Sequence, residues 1–460
     1  MLVKSTVYVA SFLLLSPAIL CVVEPNTVIA TINVGVTPAG LAITPDNRFA
    51  YVANNNNYSL AGGDTVSVLN LTNNTLAQTI SDASFNEPYT VTINAAGTKA
   101  YVTNSNSTTI TIIDIASNTV TGTIGGFDGP SGMVITPGGT FAYVNNYGGP
   151  GGVGSGNGTT VRVVNLNTNL IVGAPITVGQ APAALAITPD GSFVYVINYV
   201  DGNTGTGTIS IIRTSDNTVV GTITGFSGPF AIAITPDGTR AYVTNFGSNN
   251  FAPIGTTVSV VDLNSNTIIA TINLAIQPSG IAITPDGRLA YATNYNTLYA
   301  GPGFTNLTAG QGTVNIIDTA TNTVIPPIIA VDQSPDAVAI SSNGEYAYVS
   351  NYTSNTVSVI ALQSFQISAQ GCRIQNRYLT QIDLVNKLTW TVSGASLPVN
   401  YLIYRDAELT DLAGTVLATE SFVFLDHNRQ PNITYTYYIV GINGVGIASD
   451  PVAVTVTQNC

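Results

Sequence analysis

The feature that most constrains this chain is a Tyr-x-x-Asn tetrad that recurs seven times, with successive copies 42 to 57 residues apart. Most copies stand inside a longer near-repeat, and residues 233–245 (AITPDGTRAYVTN) are one version of it. Repetition at this period is typical of architectures whose single units cannot bury their own hydrophobic faces. The tetrads are Tyr51–Asn54, Tyr101–Asn104, Tyr143–Asn146, Tyr195–Asn198, Tyr242–Asn245, Tyr291–Asn294 and Tyr348–Asn351.

Each copy predicts four short strands, A to D, rich in β-branched and aromatic residues and separated by turn signals. In the TPDG turn between A and B, Pro236 fixes one φ angle and Gly238 tolerates the conformation that closes the hairpin. Four-stranded sheets stacked radially cover one another, as in a β-propeller. In the fifth copy the strands are predicted at residues 231–235, 240–245, 256–263 and 266–272.

The seventh copy supplies only strands A to C, ending near residue 362. The missing D segment stands at residues 26–32 (NTVIATI), nearly identical to residues 266–272. We therefore predict that the N-terminal strand completes the last blade, which removes an open sheet edge. The predicted fold class is all-β: a seven-bladed β-propeller over residues 24–364, followed by a β-sandwich over residues 365–460.

Through its ITPDGTRAYVTN repeat the chain resembles the YVTN-type β-propeller repeat proteins over about residues 26–362. Such repeats occur in exported and surface proteins of bacteria and archaea. The resemblance implies a scaffold, and no single activity follows from it.

After Gln363 the composition changes, and the segment over about residues 370–458 resembles a fibronectin type III domain. The resemblance makes Trp390 the core tryptophan and places Tyr435 at the tyrosine corner. A first strand is not evident in residues 372–385 (CRIQNRYLTQIDLV). Cys372 and Cys460 bracket the segment and can pair in an oxidising compartment. The opposite poles at which a regular sandwich begins and ends argue against that bond.

Residues 1–23 combine a lysine, an apolar run and small residues, which predicts a cleaved secretory signal peptide. A retained N-terminal anchor and lipidation at Cys21 are the alternatives. The predicted location is therefore outside the cytoplasm: secreted, periplasmic or cell surface.

The connections of a propeller separate onto two faces. The A–B and C–D turns are short and uniform. The D–A and B–C connections, which we call the loop face, carry the length variation, from residues 105–107 to residues 295–311. Long irregular loops on a rigid frame commonly carry recognition. These connections hold acidic residues but no Lys or Arg, and the chain's net charge is −12, which disfavours nucleic acid and anionic membranes as partners.

Aromatic residues follow five of the tetrad asparagines and, together with the loop acids, predict a shallow site for a protein or glycan on a surface. Packing between blades is the competing interpretation of these aromatics. The DGNTG sequence at residues 201–205 has calcium-like oxygen spacing, so a calcium ion on the acidic loop face is an alternative to a site without cofactors. The candidate ligand-binding residues are Asp82, Glu87, Asp128, Tyr147, Tyr199, Asp201, Phe246, Tyr295, Asp332 and Tyr352.

The chain offers little catalytic chemistry. Its only histidine, His427, lies outside the predicted propeller, and neither a nucleophile motif nor metal-ligand spacing is present in the sequence. We therefore predict no catalytic residues and a recognition or scaffold protein. The alternatives are a metal-assisted, lactonase-like propeller enzyme that uses acidic residues and a structural component of a cell envelope.

Overall fold

The computed structural model describes residues 25–56, 64–148, 158–199, 206–247, 254–275, 277–295, 311–362, 365–377, 382–394, 398–418, 422–427, 429–430, 433–443, 448–449 and 451–457. These residues form strands, turns and loops, without a helix among them. Thus no described segment is a helix of the length and hydrophobicity that a membrane crossing requires. The predicted leader, residues 1–23, lies outside the described residues. Two compact units are present, one over Pro25–Gln366 and the other over Ile367–Val392 with Leu397–Cys460.

The first unit consists of short strands grouped into four-stranded antiparallel sheets. The strands are β1 (Thr27–Asn33); in blade 1, β2 (Pro38–Ile43), β3 (Phe49–Asn54), β4 (Thr65–Asn70) and β5 (Thr75–Ser81); in blade 2, β6 (Pro88–Ile93), β7 (Lys99–Asn104), β8 (Thr109–Asp114) and β9 (Thr119–Gly125); in blade 3, β10 (Pro130–Ile135), β11 (Phe141–Asn146), β12 (Thr160–Asn165) and β13 (Leu170–Thr177); in blade 4, β14 (Pro182–Ile187), β15 (Phe193–Asn198), β16 (Thr206–Arg213) and β17 (Thr218–Ser227); in blade 5, β18 (Pro229–Ile234), β19 (Arg240–Gly247), β20 (Ile254–Asp262) and β21 (Thr267–Asn273); in blade 6, β22 (Pro278–Ile283), β23 (Leu289–Asn294), β24 (Gly312–Asp318) and β25 (Thr323–Val331); and in blade 7, β26 (Pro335–Ile340), β27 (Tyr346–Asn351) and β28 (Thr356–Ala361).

Blades 1 to 6 each pair their four strands in chain order, whereas the sheet of blade 7 has the order β1-β28-β27-β26. Strand β1 runs antiparallel to β28, with Thr27 opposite Ala361 and Asn33 opposite Thr356. The prediction of a seven-bladed propeller closed by its N-terminal strand is confirmed.

The cores of the propeller lie between neighbouring blades. Seven buried clusters are present, and each joins residues of two adjacent blades. The cluster between blades 7 and 1 contains Ile32 of β1, Val357 of β28 and Leu69 of β4. The inner strands of each sheet are therefore buried on both faces against neighbouring blades, whereas D strands such as β5 are mostly exposed.

The A–B turns have the predicted chemistry. Gly238 has a φ of 70°, and its N–H donates to the Thr235 carbonyl at 2.8 Å. Asp237 Oδ1 accepts a hydrogen bond from the Thr239 N–H at 3.0 Å. The aspartate in this turn is thus a local structural residue.

The second unit contains two sheets, with the orders β29-β30-β33 and β32-β31-β34-β35. The first strand, which is not evident in the sequence, is present in the structure: β29 spans Phe365–Arg377. Cys372 in that strand is disulfide-bonded. Cys21 and Cys460 lie outside the described residues, so the structure does not test the argument against a Cys372–Cys460 bond. The strands are β29 (Phe365–Arg377), β30 (Ile382–Gly394), β31 (Pro398–Tyr404), β32 (Leu412–Leu417), β33 (Val423–Asp426), β34 (Tyr435–Asn443) and β35 (Val452–Val456).

Trp390 and Tyr435 occupy informative positions in this unit. Trp390 is buried, with its ring centroid 5.1 Å from that of Tyr401. The hydroxyl of Tyr435 accepts a hydrogen bond from the Gln430 N–H at 3.0 Å, a contact back to the preceding backbone of the kind that a tyrosine corner makes.

Candidate functional site

The site begins where each A strand begins. All seven A strands start with a proline, and the residue before it has a left-handed φ between 50° and 55°. The carbonyl of that residue accepts a hydrogen bond from the N–H of the residue after the tetrad asparagine, at 2.9 to 3.1 Å. We call the residue after the asparagine the post-tetrad residue. This bond holds it over the start of the A strand, beside the propeller axis.

The seven post-tetrad residues line a single cavity of about 280 Å³. The starts of all seven A strands supply the rest of its lining, so the cavity lies at the loop-face end of the axis. A ligand entering from the loop face therefore meets residues from every blade. The post-tetrad residues are Asn55, Ser105, Tyr147, Tyr199, Phe246, Tyr295 and Tyr352.

Aromatic rings form a continuous arc along one side of this cavity. Phe230, the second residue of β18, lies between the post-tetrad rings of Tyr199 and Phe246, with centroid distances of 6.2 and 5.2 Å. The arc continues from Phe246 to Tyr295 at 5.9 Å and from Tyr295 to Tyr352 at 6.2 Å. The rings contact each other across blades and also line the cavity, so packing and a surface for a ligand coexist here.

One carboxylate faces this aromatic lining. Asp336 is the second residue of β26, and its half-buried side chain borders the cavity. Within the described part of the chain, its carboxylate has no hydrogen-bond or ion-pair partner, and the described lining residues include no Lys, Arg or His. Burial raises the pKa of Asp336 to about 7. The charged form is thus disfavoured unless a cation accompanies it.

Tyr89 occupies in blade 2 the strand position that Asp336 occupies in blade 7. Burial, and then the nearby charge of Asp336, raise the pKa of Tyr89 well above its ordinary value. The Tyr89 phenol is therefore neutral near pH 7. The cavity offers a guest aromatic surface and one group that ionises near neutrality.

A network between blades fixes the backbone of Asp336. The hydroxyl of Thr293, the third residue of its tetrad, accepts a hydrogen bond from the Gly280 N–H at 2.7 Å and donates to the Asp336 carbonyl at 3.3 Å. Gly280 has no room for a side chain, since a Cβ there would stand 2.7 Å from that same carbonyl. Adjacent A strands are thus locked together at the cavity wall.

The tetrad asparagines have a structural role. In blade 5, Asn245 Nδ2 donates to the hydroxyls of Thr257 and Ser259, both at 2.9 Å. Such bonds tie the end of strand B to strand C. They support the post-tetrad residue without taking part in the cavity themselves.

Of the predicted site residues, Tyr147, Tyr199, Phe246, Tyr295 and Tyr352 line the cavity. The predicted acids Asp82, Glu87, Asp128 and Asp332 are not among its lining residues. Asp201 lies outside the described residues.

Asp82 and Asp332 accept hydrogen bonds from residues near them in the fold. Asp82 Oδ1 accepts a hydrogen bond from the Ser84 N–H at 2.8 Å, and Asp332 Oδ2 accepts one from the Thr356 hydroxyl at 2.6 Å. Glu87 is buried, and its pKa is raised by burial and by the neighbouring Asp64. Among the described residues, no group of three or more His, Cys, Asp or Glu side chains could hold a metal ion. The calcium sequence at residues 201–205 lies outside them, so the calcium alternative stays a prediction.

The sequence interpretation misses the role of two residues. It does not include Asp336 among the candidate ligand-binding residues, but the structure places this residue in strand β26, inside the cavity. It assigns no role to Tyr89. When the seven A strands are aligned on their first proline, Tyr89, Phe230 and Asp336 are the exceptions among small residues at the second position, which is the signal that could have found Tyr89 and Asp336.

Comparisons with known proteins support the propeller. No known protein-family model matches the chain. The seven-bladed beta-propeller protein Rv1057 of Mycobacterium tuberculosis is 32% identical over 162 residues, 34% of this chain and 37% of that protein. The PE-PGRS family protein PE_PGRS18 of Mycobacterium tuberculosis is 49% identical over 59 residues, 13% of each chain. The chain thus spans less than two fifths of the length of these curated relatives.

Among solved structures, Kuenenia stuttgartiensis hydrazine synthase matches 71% of this chain and 95% of its own, with a TM-score of 0.57 and 20% identity. At that identity the match shows the fold alone. The protein is an all-β chain with a seven-bladed β-propeller. The expectation that it is not an enzyme stays a prediction, since this neighbour is named as an enzyme.

Proposed function

We propose that the chain is an exported recognition protein whose propeller binds a protein or glycan on a surface. The observation that carries this proposal is the convergence of all seven post-tetrad residues, four of them tyrosines and one a phenylalanine, on one cavity. A concave, mainly apolar lining with few polar groups is what small-molecule and head-group sites share. Tyrosine and phenylalanine rings give large contact areas at little cost in conformational entropy.

Export is supported by the leader-like residues 1–23 and by the disulfide bond of Cys372, because disulfides persist mainly outside the reducing cytosol. We further propose that the second unit is a fibronectin type III-like spacer or docking module. Its three-plus-four sheet order and the hydrogen bond from the Gln430 N–H to the Tyr435 hydroxyl support that assignment.

The test compares two aromatic residues at opposite ends of one strand, β11. Tyr147 follows the strand and lines the cavity, whereas Phe141 begins it beside the A–B turn and is 38% exposed. Full-length protein is applied to a glycan array and to purified envelope proteins. We expect Tyr147→Ala to lower the affinity for a bound partner at least tenfold and Phe141→Ala to leave it unchanged.

Equal binding by both variants, or no partner at all, contradicts the proposal. Ordered two-dimensional lattices of the purified protein would favour a structural envelope component instead. Turnover of a lactone panel, lost on removing a cavity side chain, would favour the enzyme alternative.

A further inference from the structure

The cavity combines two properties that together select a ligand class: a wall of aromatic rings and one carboxylate without a partner. We propose that it binds an alkylated ammonium group, such as a trimethylammonium head group, with Asp336 as the counter-ion. This inference rests on the proposed function and names the chemical group that the loop face recognises.

The aromatic arc favours a cation over an uncharged guest. The faces of Tyr and Phe rings carry negative electrostatic potential, so a soft cation within about 6 Å of a ring centroid is attracted to them. Rings from blades 4 to 7 surround the same space, because Tyr199, Phe230, Phe246, Tyr295 and Tyr352 form one arc. A methylated ammonium ion contacts several such rings at once and needs no hydrogen-bond acceptors.

The carboxylate supplies the opposite charge. Asp336 has no cationic neighbour among the described lining residues. Its ionised form is therefore uncompensated in the empty cavity, and a bound ammonium ion would compensate it. An anionic ligand would meet like charge and no basic side chain, which excludes phosphates and carboxylates as guests.

The size of the cavity sets a limit on the ligand. Its volume of about 280 Å³ lies just below the roughly 300–1,000 Å³ typical of sites for whole drug-sized molecules. A head group fits this space, and the rest of the ligand would extend towards the loop face. Such a group comes either from a free small molecule or from a modified side chain on a partner.

The experiment uses the full-length protein and two probes of the same shape: choline and its uncharged carbon isostere, 3,3-dimethylbutan-1-ol. Calorimetry at pH 8 should show choline binding at least tenfold more tightly than the isostere. Asp336→Asn should remove that difference, whereas Asp216→Asn, an exposed acid paired with Arg213 on a C–D turn, should preserve it. Phe230→Leu keeps an apolar side chain but removes a ring, and should weaken choline binding about threefold or more.

The pH dependence of the unmodified protein gives a second readout that needs no variant. Choline keeps its charge at all pH values, and the other titratable groups that line the cavity are the phenols of five tyrosines: Tyr89, Tyr147, Tyr199, Tyr295 and Tyr352. Burial raises the pKa of Tyr89 and that of Tyr147 above the ordinary value. The affinity should therefore fall about tenfold per pH unit below the pKa of Asp336, which is about 7.

A short peptide carrying trimethyllysine distinguishes the two sources. Much tighter binding of the peptide than of choline indicates a group presented by a partner, and equal binding indicates a free small molecule. Equal affinity for choline and the isostere, or binding of neither choline nor the peptide, overturns the inference. If a glycan or envelope protein still binds in a Tyr147-dependent way, the proposed function stands without it.

Discussion

Tyr291 of blade 6 donates a buried hydrogen bond of 2.7 Å to Oδ1 of Asn26, 265 residues earlier in the chain. The tetrad tyrosines of five other blades, all except Tyr101 of blade 2, reach the C–D turn asparagine of the following blade in the same way, as in the bond of 2.7 Å from Tyr242 to Asn322. Asn26 also shares the left-handed φ of that turn asparagine, 58° against 56°. The residue before β1 thus takes over the C–D turn position that blade 7 lacks, and the repeat pattern continues across the chain terminus.

Removing the Tyr291 hydroxyl tests this bond. Tyr291→Phe leaves the buried Asn26 Oδ1 without its donor, which should cost about 1–3 kcal/mol of unfolding free energy. Tyr101→Phe is the matched control, because the Tyr101 hydroxyl has no hydrogen bond among the described residues, and it should be nearly neutral. Urea unfolding followed by circular dichroism measures both, and equal losses would contradict the role of the bond.

The N-terminal strand can be tested with two of its isoleucines, one buried and one exposed. Ile32 is 4% exposed in the core between blades 7 and 1, whereas Ile29 is 38% exposed. Ile32→Ala should destabilise the propeller by about 2–5 kcal/mol because it leaves a cavity. Ile29→Ala should stay within about 0.5 kcal/mol. Hydrogen exchange of the β28 amides reports on the closure directly, and faster exchange is expected only in Ile32→Ala.

The fold could be predicted because its signals are local. Turn residues such as Pro236 and Gly238 set the hairpins, and the number of repeat copies set the number of blades. The copy of the D segment at residues 26–32 is enough by itself to predict which strand closes the last blade. All of these features depend on a few neighbouring residues.

The cavity could not be predicted in the same way, because a β-bulge near the start of each A strand interrupts the alternation of side chains between the two faces of the sheet. The pairing of β26 with β27 shifts register between Pro335 and Val338, and Asp336 lies within that shift. Alternation of side chains along a strand fails at a bulge, so the sequence could not show that Asp336 faces the axis. The sequence analysis also named loop acids such as Asp82 as candidate ligand-binding residues, but Asp82 hydrogen-bonds within its own turn.

In the second unit, Asp426 and Asp411 both contact Arg405, and we expect their substitutions to differ in their effect on stability. Asp426 Oδ2 is buried and accepts hydrogen bonds from Arg405 Nε at 3.2 Å and from the Tyr437 hydroxyl at 2.7 Å. Asp411 lies 3.1 Å from Arg405 but is mostly exposed. Asp426→Asn should cost about 3–5 kcal/mol because it breaks a buried pair. Asp411→Asn should cost at most about 1 kcal/mol.

The fluorescence of Trp390, the only tryptophan, follows the unfolding of this unit. Burial raises the pKa of Asp426, but hydrogen bonds from Arg405 and Tyr437 outweigh it and hold the pKa below its ordinary value of 3.8. The stability from this network is therefore present above pH 4 and lost as the pH falls further. Indistinguishable stabilities of the Asp426 and Asp411 variants would contradict this account.

The contribution of Asp336 to stability depends on pH in the opposite direction to that of Asp426. Its pKa is about 7 in the folded chain and 3.8 in an ordinary environment, so the folded state holds the proton more tightly. Stability is then greatest below pH 4 for this group and declines as the pH rises towards 7. The difference in proton affinity sets an upper limit of about 4 kcal/mol on the loss.

Asp336→Asn should therefore stabilise the empty propeller at pH 8 and have little effect at pH 4, as measured by urea unfolding at both pH values. Asp216→Asn is the control, because the pKa of Asp216 is lowered to about 2 by its bonds to Arg213 and Thr218, and the substitution should not stabilise. The ionised Asp336 carboxylate therefore lowers the stability of the propeller, and on our proposal a bound ammonium ion offsets this loss. If Asp336→Asn destabilises the propeller at pH 8, the carboxylate is satisfied in the empty cavity and needs no cation.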